Sequence, residues 1–297
     1  MTNKPIRSSH ANSAKVTKSR FDFVTKSVQI FAIAVHVLLF AASGRTSIAQ
    51  EAVPLSPAPL IRAHAHNDYL HDRPLLDALD CGFCSVEADV FLVEGELVVA
   101  HTRFWLDPKR TLKKLYLDPL RERVKANGGR VYPDGPPFTL LIDIKRDGTK
   151  AFATLSKLLA QYDDVFSSVK DGEVQSKAVT VVISGDRDVN AIKKASPRYA
   201  GIDGRLSDLL SDASVHELPL ISDSWPHHFR WRGEGEIYQD DAKKLKQVLE
   251  KAHAKGRRVR FWAIPDKPIV WKTLHNAGVD LINTDKLKEL SELLRAQ

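Results

Sequence analysis

From residue 60 onward, short apolar runs alternate with amphipathic stretches. Leu60–His66, Ser85–Val90, Phe138–Lys145, Ala178–Ser184, Tyr199–Asp203, Leu218–Ser222, Val259–Ile264 and Val279–Thr284 read as buried strands. Leu97–His101 continues the second of them after a turn at Glu94-Gly95-Glu96. Between these runs, Pro74–Asp80, Thr111–Asn127, Lys150–Phe166, Asp188–Ala195, Ser207–Leu210, Asp240–Lys255, Lys267–Asn276 and Lys286–Leu294 read as helices. Phe152, Leu155, Leu158 and Leu159 share one helical face, and Gly82, Gly128-Gly129, Gly256 and Gly278 mark helix ends. Strands separated by helices over about 240 residues predict a single-domain (β/α)8 TIM barrel, with a doubly wound open sheet as the alternative. No Gly-x-Gly-x-x-Gly follows the first strand, which counts against dinucleotide binding.

The first 49 residues have another character. Residues 1–27 are polar and basic, Val28–Ala42 is apolar apart from His36, and Ser47-Ile48-Ala49 offers a small-residue cleavage site. That order is a signal peptide's and predicts an exported protein; an uncleaved membrane anchor is the alternative. The apolar run is shorter than the ~20 residues of a usual spanning helix. Residues 50–58 form a Pro-rich lead-in, and 59–297 form the folded domain. The leader also carries most of the net charge of +7: residues 50–297 hold 37 basic and 36 acidic residues. A nearly neutral domain gives no footprint for nucleic acid.

Candidate chemistry gathers where the strands end, the catalytic end of a parallel barrel. These ends carry His64 and His66, Glu87 and Asp89, His101, Asp143 and Lys145, Asp203, Asp223, Trp262 and Asp285. Glu87 and Asp89, two apart on a strand, share a face. Buried carboxylates need a cation or a charged partner, so the pair predicts either a hard metal ion or an Arg/Lys neighbour. Cys81 and Cys84 lack a second cysteine pair for zinc and read as packing residues or a local disulfide.

The order His…Glu-x-Asp…His…Asp-Ile-Lys resembles the phospholipase-C-like phosphodiesterase superfamily, which includes glycerophosphodiester phosphodiesterases. The matching segments are Val86–Val90, Leu97–His101, Leu141–Lys145 and Gly278–Asp285, with Phe261–Ile264 similar to a late Trp-containing strand. His64-Ala65-His66-Asn67-Asp68-Tyr69 and Ser85–Val90 resemble the branch containing the fungal altered inheritance of mitochondria proteins. The Arg-Gly that usually follows the first histidine in glycerophosphodiesterases is missing, and Asp143 stands where Glu is usual.

The resemblance implies a phosphoric diester hydrolase. Glu87, Asp89 and Asp143 would hold Mg2+ or Ca2+, since all-oxygen ligation favours these over zinc. His66 or His64, together with His101, would act as acid and base. Lys145, Asn67 and Trp262 are the candidate contacts to a small phosphodiester or phospholipid. Trp262 serves equally as a barrel-core residue, Asp285 reads as a structural hydrogen-bonder, and His227-His228 reads as part of a solvated loop. Two other functions compete: a zinc-dependent amidohydrolase-like enzyme using His64-x-His66, and a non-catalytic phosphate- or lipid-binding module on the same fold.

Overall fold

The computed structural model describes residues 57–297; the expected leader and residues 50–56 lie outside the described residues. In chain order the strands are β1 (Leu60–Ala65), β2 (Phe83–Val93), β3 (Glu96–Val99), β4 (Phe138–Ile144), β5 (Ser168–Lys170), β6 (Glu173–Gln175), β7 (Val179–Gly185), β8 (Ala200–Gly204), β9 (Leu220–Ser224), β10 (Arg258–Trp262) and β11 (Ile282–Thr284). The helices are α1 (Leu76–Asp80), α2 (Asp118–Ala126), α3 (Gly148–Ala160), α4 (Val189–Lys194), α5 (Trp225–His228), α6 (Gln239–His253), α7 (Pro268–Ala277) and α8 (Leu287–Arg295).

Eight strands pair in parallel in the order β10-β9-β8-β7-β4-β2-β1-β11, and a parallel bridge from Arg260 to Leu281 joins the two ends. This is the expected TIM barrel. Its outward strand faces pack on the helices; Ala151, Phe152, Leu155 and Leu159 of α3 are buried there. Inside, Leu141, Val182, Leu220 and Leu281 form a small apolar cluster. This cluster plugs the middle of the barrel, as inward layers do in such folds. Polar inward residues lie above it, and Thr139 and Arg258 below it.

Several elements differ from their sequence reading. The Leu97–His101 run does not extend β2: Glu94 (φ 49°) and Gly95 (φ 86°) make a tight turn, and β3 returns antiparallel to β2. The Thr111–Asn127 helix opens with a wide turn at Lys113–Leu117 before α2, whose second residue is Pro119. A proline there lacks the amide donor that a regular upstream turn would use. The Lys150–Phe166 helix ends at Ala160, and Tyr162, Val165 and Phe166 pack on the core from the turn that follows. Ser207–Leu210 shrinks to a single turn at Leu206–Asp208.

The segment read as a solvated loop is the short helix α5. Trp225 is fully buried in it, stacked 4.0 Å from Phe229 and edge-on to Phe261, so it offers nothing to a lipid surface. Cys81 and Cys84 are free thiols, and burial pushes the Cys84 thiol up to about 12. No helix among the described residues is long and apolar enough to cross a membrane.

Candidate active site

Two neighbouring strands, β2 and β4, build the carboxylate group. β2 and β4 are in register with Asp89 opposite Asp143, and Glu87 lies two residues back on the same face. Ligand oxygens of Glu87, Asp89 and Asp143 lie within 4.8 Å of one another. These donors fit a hard divalent cation: all are carboxylates, and Asp89 Oδ1 is buried with no hydrogen-bond partner. Two side-chain cations already share the group. Lys145 Nζ lies 2.7 Å from Asp89 and 3.2 Å from Asp143, and Arg260 Nη2 bonds Glu87.

Arg260 has no counterpart in the sequence reading. It is 3% exposed, bonds Asn283 Oδ1 through Nε at 2.7 Å, and crosses the barrel interior to Glu87. Burial opposes ionisation of Glu87, but the Arg260 guanidinium and His64 hold its carboxyl well below the usual range. For the other two acids the Lys145 ammonium does not offset burial. Burial, and then the charge of Glu87, raise Asp89; burial raises Asp143 to about 6 despite Lys145. Burial works against the Lys145 ammonium, yet Asp143 and Asp89 raise its pKa.

The two histidines of the first strand separate. His64 is fully buried, with Nδ1 2.7 Å from Ser85 Oγ and Nε2 3.5 Å from Glu87. Burial, then Arg260, lower it to about 3, so its ring is neutral. His66 lies past the strand end at the mouth, its Nδ1 2.8 Å from Asp285 Oδ1. Two residues along a strand advance ~7 Å, enough to carry one imidazole from the interior to the opening. The zinc reading needed both rings on one ion. Among the described residues, the metal-competent group contains no histidine.

The β2–β3 hairpin delivers His101. Ala100 N–H donates to the Asp89 carbonyl at 3.2 Å, which sets His101 beside the Asp89 side chain. Its Nδ1 lies 3.0 Å from Asp89 Oδ2, and the side chain is 47% exposed. Tyr69, also absent from the sequence-based site, places its hydroxyl among Asp89 Oδ2, His101 Nδ1 (2.9 Å) and Asn67 Oδ1 (2.7 Å). Its one proton serves one acceptor at a time. Asn67 adopts a left-handed conformation (φ 47°) and also approaches His66 Nδ1 at 2.9 Å. It thus ties the loop to His66 directly and to His101 through Tyr69.

That loop is fixed from below. Buried Asp68 accepts from Leu75 N–H at 2.6 Å and Tyr116 Oη–H at 2.8 Å, and burial raises it to about 7. Trp262 ends β10 at the mouth. The Arg205 guanidinium lies 4.9 Å from its ring centre, and Arg205 pairs with buried Asp203 at 2.9 Å. Ser184 and Ser222 also donate to Asp203. The motif segment could have flagged Tyr69, and the alternation Arg258-Val-Arg260-Phe-Trp262 puts Arg260 on one face with Trp262.

Comparison with known proteins bears on the family and the fold. Residues 55–130 match an AIM6-like phosphodiesterase domain, and 258–288 match the glycerophosphoryl diester phosphodiesterase family. An altered inheritance of mitochondria protein 6 homolog from Arthroderma benhamiae is 31% identical over 255 residues, covering 76% of this chain and 81% of that protein. The Eremothecium gossypii protein 6 is 29% identical over 269 residues, covering 78% and 69% of the two chains. These names describe mitochondrial inheritance and not a reaction. A glycerophosphodiester phosphodiesterase from Agrobacterium tumefaciens has a similar structure, with TM-score 0.50 and 16% identity over 80% of this chain and 100% of that one.

Proposed function

Since the chain belongs to the family of altered inheritance of mitochondria protein 6 and its homologues, with a phosphodiesterase-type TIM barrel, we propose that it is a divalent-cation-dependent phosphoric diester hydrolase. The substrates on this reading are glycerophosphodiesters or related phospholipid-type esters. One observation carries it: two mouth histidines, each with a carboxylate behind Nδ1, beside three carboxylates within 4.8 Å.

Glu87, Asp89 and Asp143 would hold Mg2+ or Ca2+. The bound cation would neutralise a phosphoryl oxygen and make the phosphorus more electrophilic. Lys145 adds a positive contact for a second phosphoryl oxygen. With Nδ1 turned to Asp285, His66 presents Nε2 as the group that takes a proton from water or a substrate hydroxyl. With Nδ1 turned to Asp89, His101 presents Nε2 to protonate the leaving oxygen; the reverse assignment uses the same geometry. Tyr69 and Asn67 keep both rings in place. His64, enclosed between Ser85 and Glu87, positions Glu87 and exchanges no proton with substrate. The leader pattern of residues 1–49 adds that the enzyme is exported.

The test is hydrolysis of bis(p-nitrophenyl) phosphate and a glycerophosphodiester panel, in EDTA and after return of Mg2+, Ca2+ or Zn2+. Glu87→Ala and His101→Ala accompany the wild type. Turnover that needs Mg2+ or Ca2+ and is lost in both variants is expected. No turnover from folded protein with any metal would reduce the site to binding. Turnover indifferent to EDTA would assign charge neutralisation to Lys145 and Arg260.

A further inference from the structure

The opposite, N-terminal end of the barrel holds a cavity of ≈ 390 Å³, within the size range of small-molecule sites. It lies under the first residues of β4, β7, β8 and β10, with the β5–β6 hairpin as one wall. The apolar plug of Leu141, Val182, Leu220 and Leu281 stands between it and the carboxylates.

Its charge is one-sided. Lys177, Arg198 and Arg258 line it, and no Asp or Glu does. Asp163 meets Lys177 at 3.1 Å. Arg258 spans the floor to donate to Thr139 Oγ1 at 2.9 Å, and Arg198 donates to the carbonyls of Ala200 and His216. Neither arginine has an ion-pair partner among the described residues. The acids whose fields reach them are committed elsewhere: Asp280 to His253 at 2.7 Å, and Glu217 to Lys193 at 2.9 Å. Burial lowers the pKa of both guanidiniums, the mark of cations held from water without a counter-ion. Two such groups in one cavity invite an anion. The remaining walls are largely apolar, with Ile61, Val169, Val174, Val181 and Pro219.

We propose that this cavity binds an amphiphilic anion, one carboxylate or phosphate against Arg198 and Arg258 with a short apolar chain along Val169, Val174 and Pro219. Residues on this face of a barrel ordinarily serve stability alone, so the unpaired cations there need a cause of their own.

The test is calorimetric titration of the full chain with octanoate, octyl phosphate and inorganic phosphate. Saturable binding of at least one amphiphile is expected, and the tighter of the two names the headgroup. Arg258→Met should weaken it at least about tenfold, the scale of one charged hydrogen bond. Val174→Trp, placed on the exposed hairpin, should block the same binding while leaving the barrel untouched. Should Arg258→Met fail to fold, Val174→Trp carries the test. His101→Ala should bind as wild type, which locates the event away from the other end. Absence of saturable binding by either amphiphile would overturn the proposal, as would wild-type binding in both folded cavity variants. Inorganic phosphate binding as tightly as octyl phosphate would overturn its amphiphilic part.

Discussion

Breaking the contact between Arg260 and Glu87 tests the electrostatic account of the site most directly. Both residues are nearly sealed from solvent, at 3% and 5% exposure. Arg260→Met would strand the Glu87 carboxylate with only the His64 ring at 3.5 Å, and would take the donor from Asn283 Oδ1. Removing one partner of a buried pair costs ~3–5 kcal/mol, mostly because the remaining charge stays desolvated. Glu87→Gln keeps an acceptor for Arg260 but removes the opposing charge, a loss of ~1–3 kcal/mol. The double variant strands no carboxylate, so it should cost less than the sum by ~1–3 kcal/mol. Urea unfolding of the four proteins in EDTA at neutral pH, followed by tryptophan fluorescence, measures this coupling. Additivity to within ~0.5 kcal/mol would refute the reasoning, because Arg260 would then not be what keeps Glu87 ionised.

Further expectations follow from the same geometry. Asp68, raised to about 7 by burial, stays protonated in the fold at pH values where the unfolded chain has already lost the proton. Wild-type stability should therefore fall between the unfolded pKa and about pH 7, and Asp68→Asn should gain on it by up to ~2–4 kcal/mol across that window. Thermal melts at a series of pH values read the difference, and a constant gap would reject it. At Gly185 (φ +72°), a Cβ would stand 2.5 Å from Asp143 Oδ1 and 2.3 Å from the Ile144 carbonyl. Gly185→Ala should thus displace the Asp143 carboxylate and weaken Mg2+ or Ca2+ binding by calorimetry; unchanged affinity would free Asp143 from the ligand role. His101→Ala and His66→Ala should each lower turnover of bis(p-nitrophenyl) phosphate by ~10²–10⁴-fold. Asp285→Asn should lower it less than His66→Ala, and a larger loss would show that Asp285 acts directly.

The barrel was legible in the sequence because each strand is a compact apolar run with a polar residue at its end. The carboxylates were legible because spacing along one strand fixes a shared face, and Glu87 and Asp89 needed nothing more. Partners that meet across the barrel were not legible. Arg260 and Glu87 are 173 residues apart and touch only once the strands have closed, so no local pattern pairs them. The depth difference between His64 and His66 was hidden for a related reason. Alternation gives direction but not height, and height depends on where β1 stops relative to β2 and β11. The reversed direction of β3 rests on two residues with positive φ, where the turn was legible but its handedness was not.

Charge arrangement ties the two ends of the barrel together physically. At the mouth, three carboxylates face two permanent cations, Lys145 and Arg260, and the rings of His66 and His101 stand beside carboxylates. Within this group of five the carboxylates outnumber the permanent cations, and a phosphodiester, itself an anion, gains no net attraction from those five alone. On the proposed reading a divalent cation would reverse that balance, and the carboxylates that repel a phosphodiester would become the means of holding it. Asp143, raised to about 6 by burial and bonded to Lys145, is the acid whose ionisation gains most from an added positive charge. At the floor the imbalance has the opposite sign, and no metal can correct it. Only an anion can, and the apolar plug prevents the mouth carboxylates from supplying one. On the two proposals made above, the barrel would keep charges of opposite sign apart, and each would call for its own class of ligand.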